Sequence, residues 1–140
     1  MTSQWARAVP VPADCAQARS HVATASRFLK DSMVEGISNE MRYGALYDSA
    51  RNAITGVLAA AGIRITDDRG GHAETIREVR NHLGAEHATS LQRLNAALKK
   101  RNQMQYHNAN IAVAEADALE QDAIALAKAA LEFVNERCPG

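Results

Sequence analysis

Between Ala112 and Phe133 an alanine or larger apolar residue recurs at alternating spacings of four and three: Ala112, Ala116, Leu119, Ala123, Leu126, Ala130 and Phe133. Only an α-helix lines residues at these spacings along one side, because a strand sends alternate side chains to opposite faces. The seam is heptad-like, but alanine at about half of its positions suits close packing between neighbouring helices. It therefore reads as the core face of a bundle helix that begins between about Ile111 and Glu115.

The remaining chain repeats the helical theme. Pro10 and Pro12 keep the N-terminal segment extended, and the Asp14 carboxylate is placed to accept the free backbone N–H groups of a first helix. Ala18, Val22, Ala25, Leu29 and Met33 share one face of that helix, and Gly36 ends the run. From Ser38 a long second helix carries Leu46, Ala50, Ile54, Val57 and Ala61 on one stripe, with Gly62 as a left-handed stop. Gly44 and Gly56 either weaken this helix or permit close approach of a neighbour. The segment from Thr66 to Gly71 is polar and glycine-rich and reads as a loop. A short third helix with Ile76, Val79 and Leu83 inward ends near Gly84, and a fourth carries Leu91, Leu94 and Leu98 before turning polar at Lys99. No strand is expected. The reading is an all-α, four- to five-helix up-and-down bundle, with residues 1–13 as an extended segment and 14–137 as one helical domain.

A length of 140 residues suits one hydrophobic core. Sixteen basic residues balance sixteen acidic ones, so no strongly basic surface holds nucleic acid by counterion release, and any RNA contact must be local or transient. No stretch of about 18 apolar residues is present to span a bilayer, and the first residues lack the apolar centre of a secretory signal. The expected location is the cytoplasm, with no membrane partner. Cys15 and Cys138 lie near opposite ends without metal-finger spacing. Reduced thiols are expected there, the alternative being a staple between the termini.

Candidate chemistry concentrates in one segment. Gly84 lies between His82 and His87 and spoils the helical spacing that zinc hydrolases require, and Gly70-Gly71 is too short to cradle a phosphate. No metal or cofactor is expected. By contrast, Lys99-Lys100-Arg101-Asn102-Gln103-Met104-Gln105-Tyr106-His107-Asn108 gathers cations, amides, a phenol and an imidazole where the fourth helix is expected to end. An imidazole titrates near neutral pH and moves protons, while a guanidinium stays charged and grips phosphate through two hydrogen bonds. The alternative is a solvated helix end whose lysines complement the dipole.

Arg101-Asn102 followed by His107, R-N-x4-H, resembles the R-x4-6-H signature of the HEPN superfamily. Tyr47-Asp48-Ser49-Ala50-Arg51-Asn52-Ala53 resembles that family's YxxAxNA stretch, and Gly71-His72 and the alanine-rich final helix add to a likeness covering roughly residues 20 to 136. The resemblance implies a dimerising bundle in which the motifs of two chains line one cleft, and metal-independent RNA cleavage by attack of a ribose 2′-OH on the adjacent phosphate. His107 would be acid or base, Arg101 would stabilise the pentacovalent phosphate, and Asn102 would orient them, with Lys99, Lys100 and Tyr106 contacting RNA. Such enzymes include toxins held by an antitoxin. Branches that carry a tyrosine after R-N-x3 and lack the catalytic histidine bind a nucleotide or a partner such as a nucleotidyltransferase. Asn52 is expected to be a structural helix contact.

Six residues of ideal helix leave Arg101 and His107 about 120° apart. Two arrangements bring them to one phosphate: a helix that loosens near Tyr106, or a two-fold axis that sets the arginine of one chain beside the histidine of the other.

Overall fold

Local caps fix where the helices begin and end. In a computed structural model that describes residues 5–107 and 110–139, apart from the Tyr106 and His107 side chains, Asp14 Oδ1 accepts the Gln17 N–H at 3.0 Å and opens α1, Cys15–Asp31. Ser38 Oγ accepts the Met41 N–H at 3.1 Å and opens α2, Asn39–Ala61. Each side-chain oxygen satisfies one of the four donors that a helix start leaves free, a contribution of about 1 kcal/mol. Three further helices follow: α3, Gly71–Leu83; α4, Ala88–His107, entered through a single 3-10 turn at Ala85–His87; and α5, Val113–Arg137.

The chain is an all-α five-helix bundle of up-and-down type. The helices α2 and α5 each pack on all the others, while α1 covers one side of this pair and α3 and α4 the other. Leu46, Ala50 and Val57 of α2 are fully buried, as are Ala116, Ala123, Leu126 and Ala130 of α5. These are residues of the two expected stripes. Ala112 departs from its stripe because it is the residue before α5 starts, and it is exposed. Met33 departs likewise: α1 stops at Asp31, and Met33, past the end, is 60% exposed.

Buried polar groups tie the helices in pairs. Ser49 Oγ donates to the Ala25 carbonyl at 2.7 Å between α2 and α1. Asp122 of α5, only 3% exposed, accepts from Ser90 Oγ at 2.9 Å and from two nitrogens of Arg93 at 2.8 and 2.6 Å, all on α4. Pairing both oxygens offsets the cost of placing a carboxylate so deeply.

Two expectations are corrected. Short strands exist: β1, Ala8–Pro10, pairs antiparallel with β2, Ile63–Ile65, in the register Ala8↔Ile65, Val9↔Arg64, Pro10↔Ile63. The N-terminal segment is thus extended because it is paired. Gly62 makes the pairing possible: its φ of 74° turns the chain, and a Cβ there would lie 2.7 Å from the Val11 carbonyl oxygen. Three-residue strands are too short to show a period of two. The cysteines are also not free thiols, since Cys15 and Cys138 form a disulfide across 123 residues of chain. It joins the start of α1 to the residue that closes α5, and Arg19 donates to the Cys138 carbonyl beside it. The helix packing, invisible in the spacing of the cysteines, brings their Cα atoms to 5.6 Å.

Candidate nucleic-acid interface

The polar segment closes α4, as expected. It occupies its last two turns, and α4 is helical through His107. Of the two arrangements that bring Arg101 and His107 to one phosphate, a loosened last turn is therefore not the one present. The Tyr106 and His107 side chains lie outside the described residues.

Arg101 is one-quarter exposed and faces α2. Its Nη2 lies 3.3 Å from Asp48 Oδ1, and its guanidinium carbon sits 5.4 Å from the centre of the Tyr47 ring. A planar cation over an aromatic face is favoured by the ring quadrupole and leaves the guanidinium edge for hydrogen bonding. Asn102 and Lys99 are exposed. Lys100 reaches α5, where its ammonium lies 3.4 Å from Glu115 Oε2. The same carboxylate accepts the Ala112 N–H at 3.1 Å at the start of α5. That backbone hydrogen bond first, and Lys100 second, hold the Glu115 carboxyl below its usual range. The two lysines thus differ: Lys100 is engaged in fixing α4 to α5, and Lys99 makes no ion pair among the described residues.

Just past the motif, α2 grips the chain again. The Ile111 N–H donates to Glu40 Oε2 at 3.0 Å, and Asn39 Nδ2 donates to the Ile111 carbonyl at 3.2 Å. Ile111 itself is buried. The first turn of α2 therefore holds the chain just before the start of α5.

Further along α2, the Tyr47 phenol is pushed up by burial, against the opposing pull of Arg51 and Arg101, and stays a neutral hydrogen-bond donor. Asn52 is structural, as expected: its Oδ1 lies 3.1 Å from His21 Nδ1 on α1, and its Nδ2 donates to the Asp48 carbonyl at 2.8 Å. His72, part of the Gly71-His72 pair in the resemblance, is the second residue of α3. Its Nε2 is buried without a hydrogen-bond partner, and burial pushes the imidazole below its usual value, with the Arg51 charge acting in the same direction. It is neutral at pH 7.

The Tyr47–Asp48 contribution to the Arg101 environment is beyond sequence reasoning, because the residues are 54 and 53 positions away from Arg101 on another helix. The other imidazoles stand apart. His82 and His87 line, with Glu132 and Phe133, a depression of about 150 Å³ between α3 and α5. Among the described residues no three His, Cys, Asp or Glu side chains converge as metal ligands, and no helix is long and apolar enough to cross a membrane.

What the arrangement offers chemically is a guanidinium held in place on an aromatic face, beside exposed amide and ammonium groups at the end of a helix. Such a group recognises phosphate. Compared with protein-family models and with curated proteins, the chain matches none.

Proposed function

We propose that this protein is a metal-independent endoribonuclease of HEPN type, acting as a homodimer. One observation supports this reading above the others. The two stretches on which the resemblance rests, Tyr47–Ala53 and Arg101–His107, are far apart in sequence, yet Arg101 packs on Tyr47 and Asp48. Held there, Arg101 would take the non-bridging oxygens of a phosphodiester and stabilise the charge that builds as the ribose 2′-OH attacks. His107 would move the proton and Asn102 would orient the pair, with Lys99, Lys100 and Tyr106 steering the RNA backbone. In a continuous α4 the histidine comes from the partner chain across a two-fold axis, which is why the reading includes a dimer.

The reading places the protein in the cytoplasm, as a growth-inhibiting or defence enzyme restrained by an antitoxin or a nucleotidyltransferase. Disulfides are uncommon in that compartment, so the Cys15–Cys138 bond counts against the cytoplasmic part of the reading. A second reading, a non-catalytic module that binds a nucleotide or partner protein, is favoured by the Asp48 carboxylate, which already occupies Arg101.

Incubation of wild type, Arg101→Ala and His107→Ala with total RNA in chelator separates the two. Cleavage by wild type alone, leaving 2′,3′-cyclic phosphate ends, is the expected result. Intact RNA with all three proteins leaves the binding module as the better reading.

A further inference from the structure

Four arginines of this bundle are held in ion pairs. Arg42 is held by Asp117 and Glu120, Arg77 by Glu74, Arg93 by Asp122 and Arg101 by Asp48. Arg51 is exposed, and its guanidinium makes no ion pair among the described residues. Its neighbour Asn52 is taken up by His21 and the Asp48 carbonyl, so the Arg51-Asn52 dipeptide divides into a structural residue and an unused cation.

The position of Arg51 gives that cation a context. It follows Tyr47 by four residues on α2, hence lies on the same helix face about one turn, roughly 6 Å, further along. That displacement is of the same order as one nucleotide step along a single strand. Tyr47 carries Arg101 on its ring, and the Arg51 charge acts on both the Tyr47 phenol and the His72 imidazole. Asp48 is the acid of this patch, and it is engaged with Arg101. His72, neutral at pH 7, adds no charge, so Arg51 adds a second cation to the surroundings of Tyr47, where Arg101 is already paired with Asp48.

We infer that Arg51 is a second phosphate-binding residue of the Arg101 site, contacting the RNA phosphate that neighbours the one held by Arg101. The inference rests on the reading of the Arg101 face as an RNA site. Recognition would be of the backbone and indifferent to base, as expected of an exposed guanidinium. It also accounts for RNA contact by a chain of zero net charge, through a local cation pair.

The test is fluorescence polarisation with a short labelled 2′-O-methyl oligoribonucleotide, which lacks the attacking hydroxyl and so reports binding without cleavage. Wild type, Arg51→Gln, Arg51→Glu and Arg101→Gln are titrated across a range of potassium chloride concentrations. Arg51→Gln is expected to bind about tenfold more weakly at low salt, with the slope of log K against log salt shallower by about one. Arg51→Glu should bind more weakly still. If both Arg51 variants match wild type while Arg101→Gln weakens, the inference is overturned and the Arg101 site stands. If wild type itself does not bind the oligonucleotide, the inference and the ribonuclease reading fall together.

Discussion

Arg101 and Asp48 face each other across the α2–α4 contact at 3.3 Å, each about one-quarter exposed. A pair in that setting is worth little in stability, up to about 1 kcal/mol, but it decides what else the guanidinium can hold. Asp48→Asn removes the competing charge. Binding of an uncleavable oligoribonucleotide should therefore tighten, by up to about fivefold, in the same polarisation assay. Weaker binding would mean that Asp48 orients Arg101 for the phosphate and does not compete with it.

His72 should make stability depend on pH in a defined direction. Its folded-state pKa lies below the ordinary 6.5, so the folded protein disfavours the proton that the unfolded chain accepts. Stability contributed by this group is complete above about pH 7.5, falls as pH drops through 6.5, and levels off below the folded-state value. Urea midpoints for wild type and His72→Gln at about pH 8 and about pH 5 measure it. The acid loss should be smaller in the variant. An equal loss would assign the effect to other histidines.

Reduction of the Cys15–Cys138 bond releases a cross-link spanning 123 residues. Loop-closure entropy for a span of this size predicts a loss of about 5 kcal/mol, which a Cys15→Ser, Cys138→Ser double variant should reproduce in urea denaturation. The RNA cleavage proposed for the motif should persist below the unfolding temperature, because the motif is on α4 and the bridge joins α1 to the end of α5. Abolished cleavage in a folded double variant would tie the bond to the site.

Two glycines of α2 should respond oppositely to alanine. At Gly44 a Cβ meets nothing within 4 Å, so Gly44→Ala should stabilise the protein by about 0.5–1 kcal/mol. At Gly56 it would lie 3.2 Å from both the Ala18 carbonyl oxygen and Val22 Cγ2 on α1. There the crowding should cancel the gain and destabilise by about 1 kcal/mol. Thermal or urea denaturation of the two single variants decides, and a gain at Gly56 would show that α1 shifts at little cost.

These results separate what is written locally from what packing decides. Helix bounds depend on neighbours in the chain: Asp14 and Ser38 cap from within three residues, and Gly62 and Gly84 supply positive φ angles where α2 and α3 stop. The stripes of α2 and α5 are equally local, since 3.6 residues per turn puts them on one face whatever they meet. The helical class, the number of long helices and the segment carrying Arg101 were therefore legible in the sequence. What lay across from each face was not. Nothing near Cys15 encodes Cys138, nothing near Arg101 encodes Tyr47 or Asp48, and Gly44 and Gly56 look alike until α1 lies on one of them. The strands at Ala8–Pro10 and Ile63–Ile65 exist because the turn at Gly62 brings one beside the other. Periodicity fixes a helix face, whereas a site, a cross-link or a close approach is a relation between faces, and only the packed bundle sets that relation.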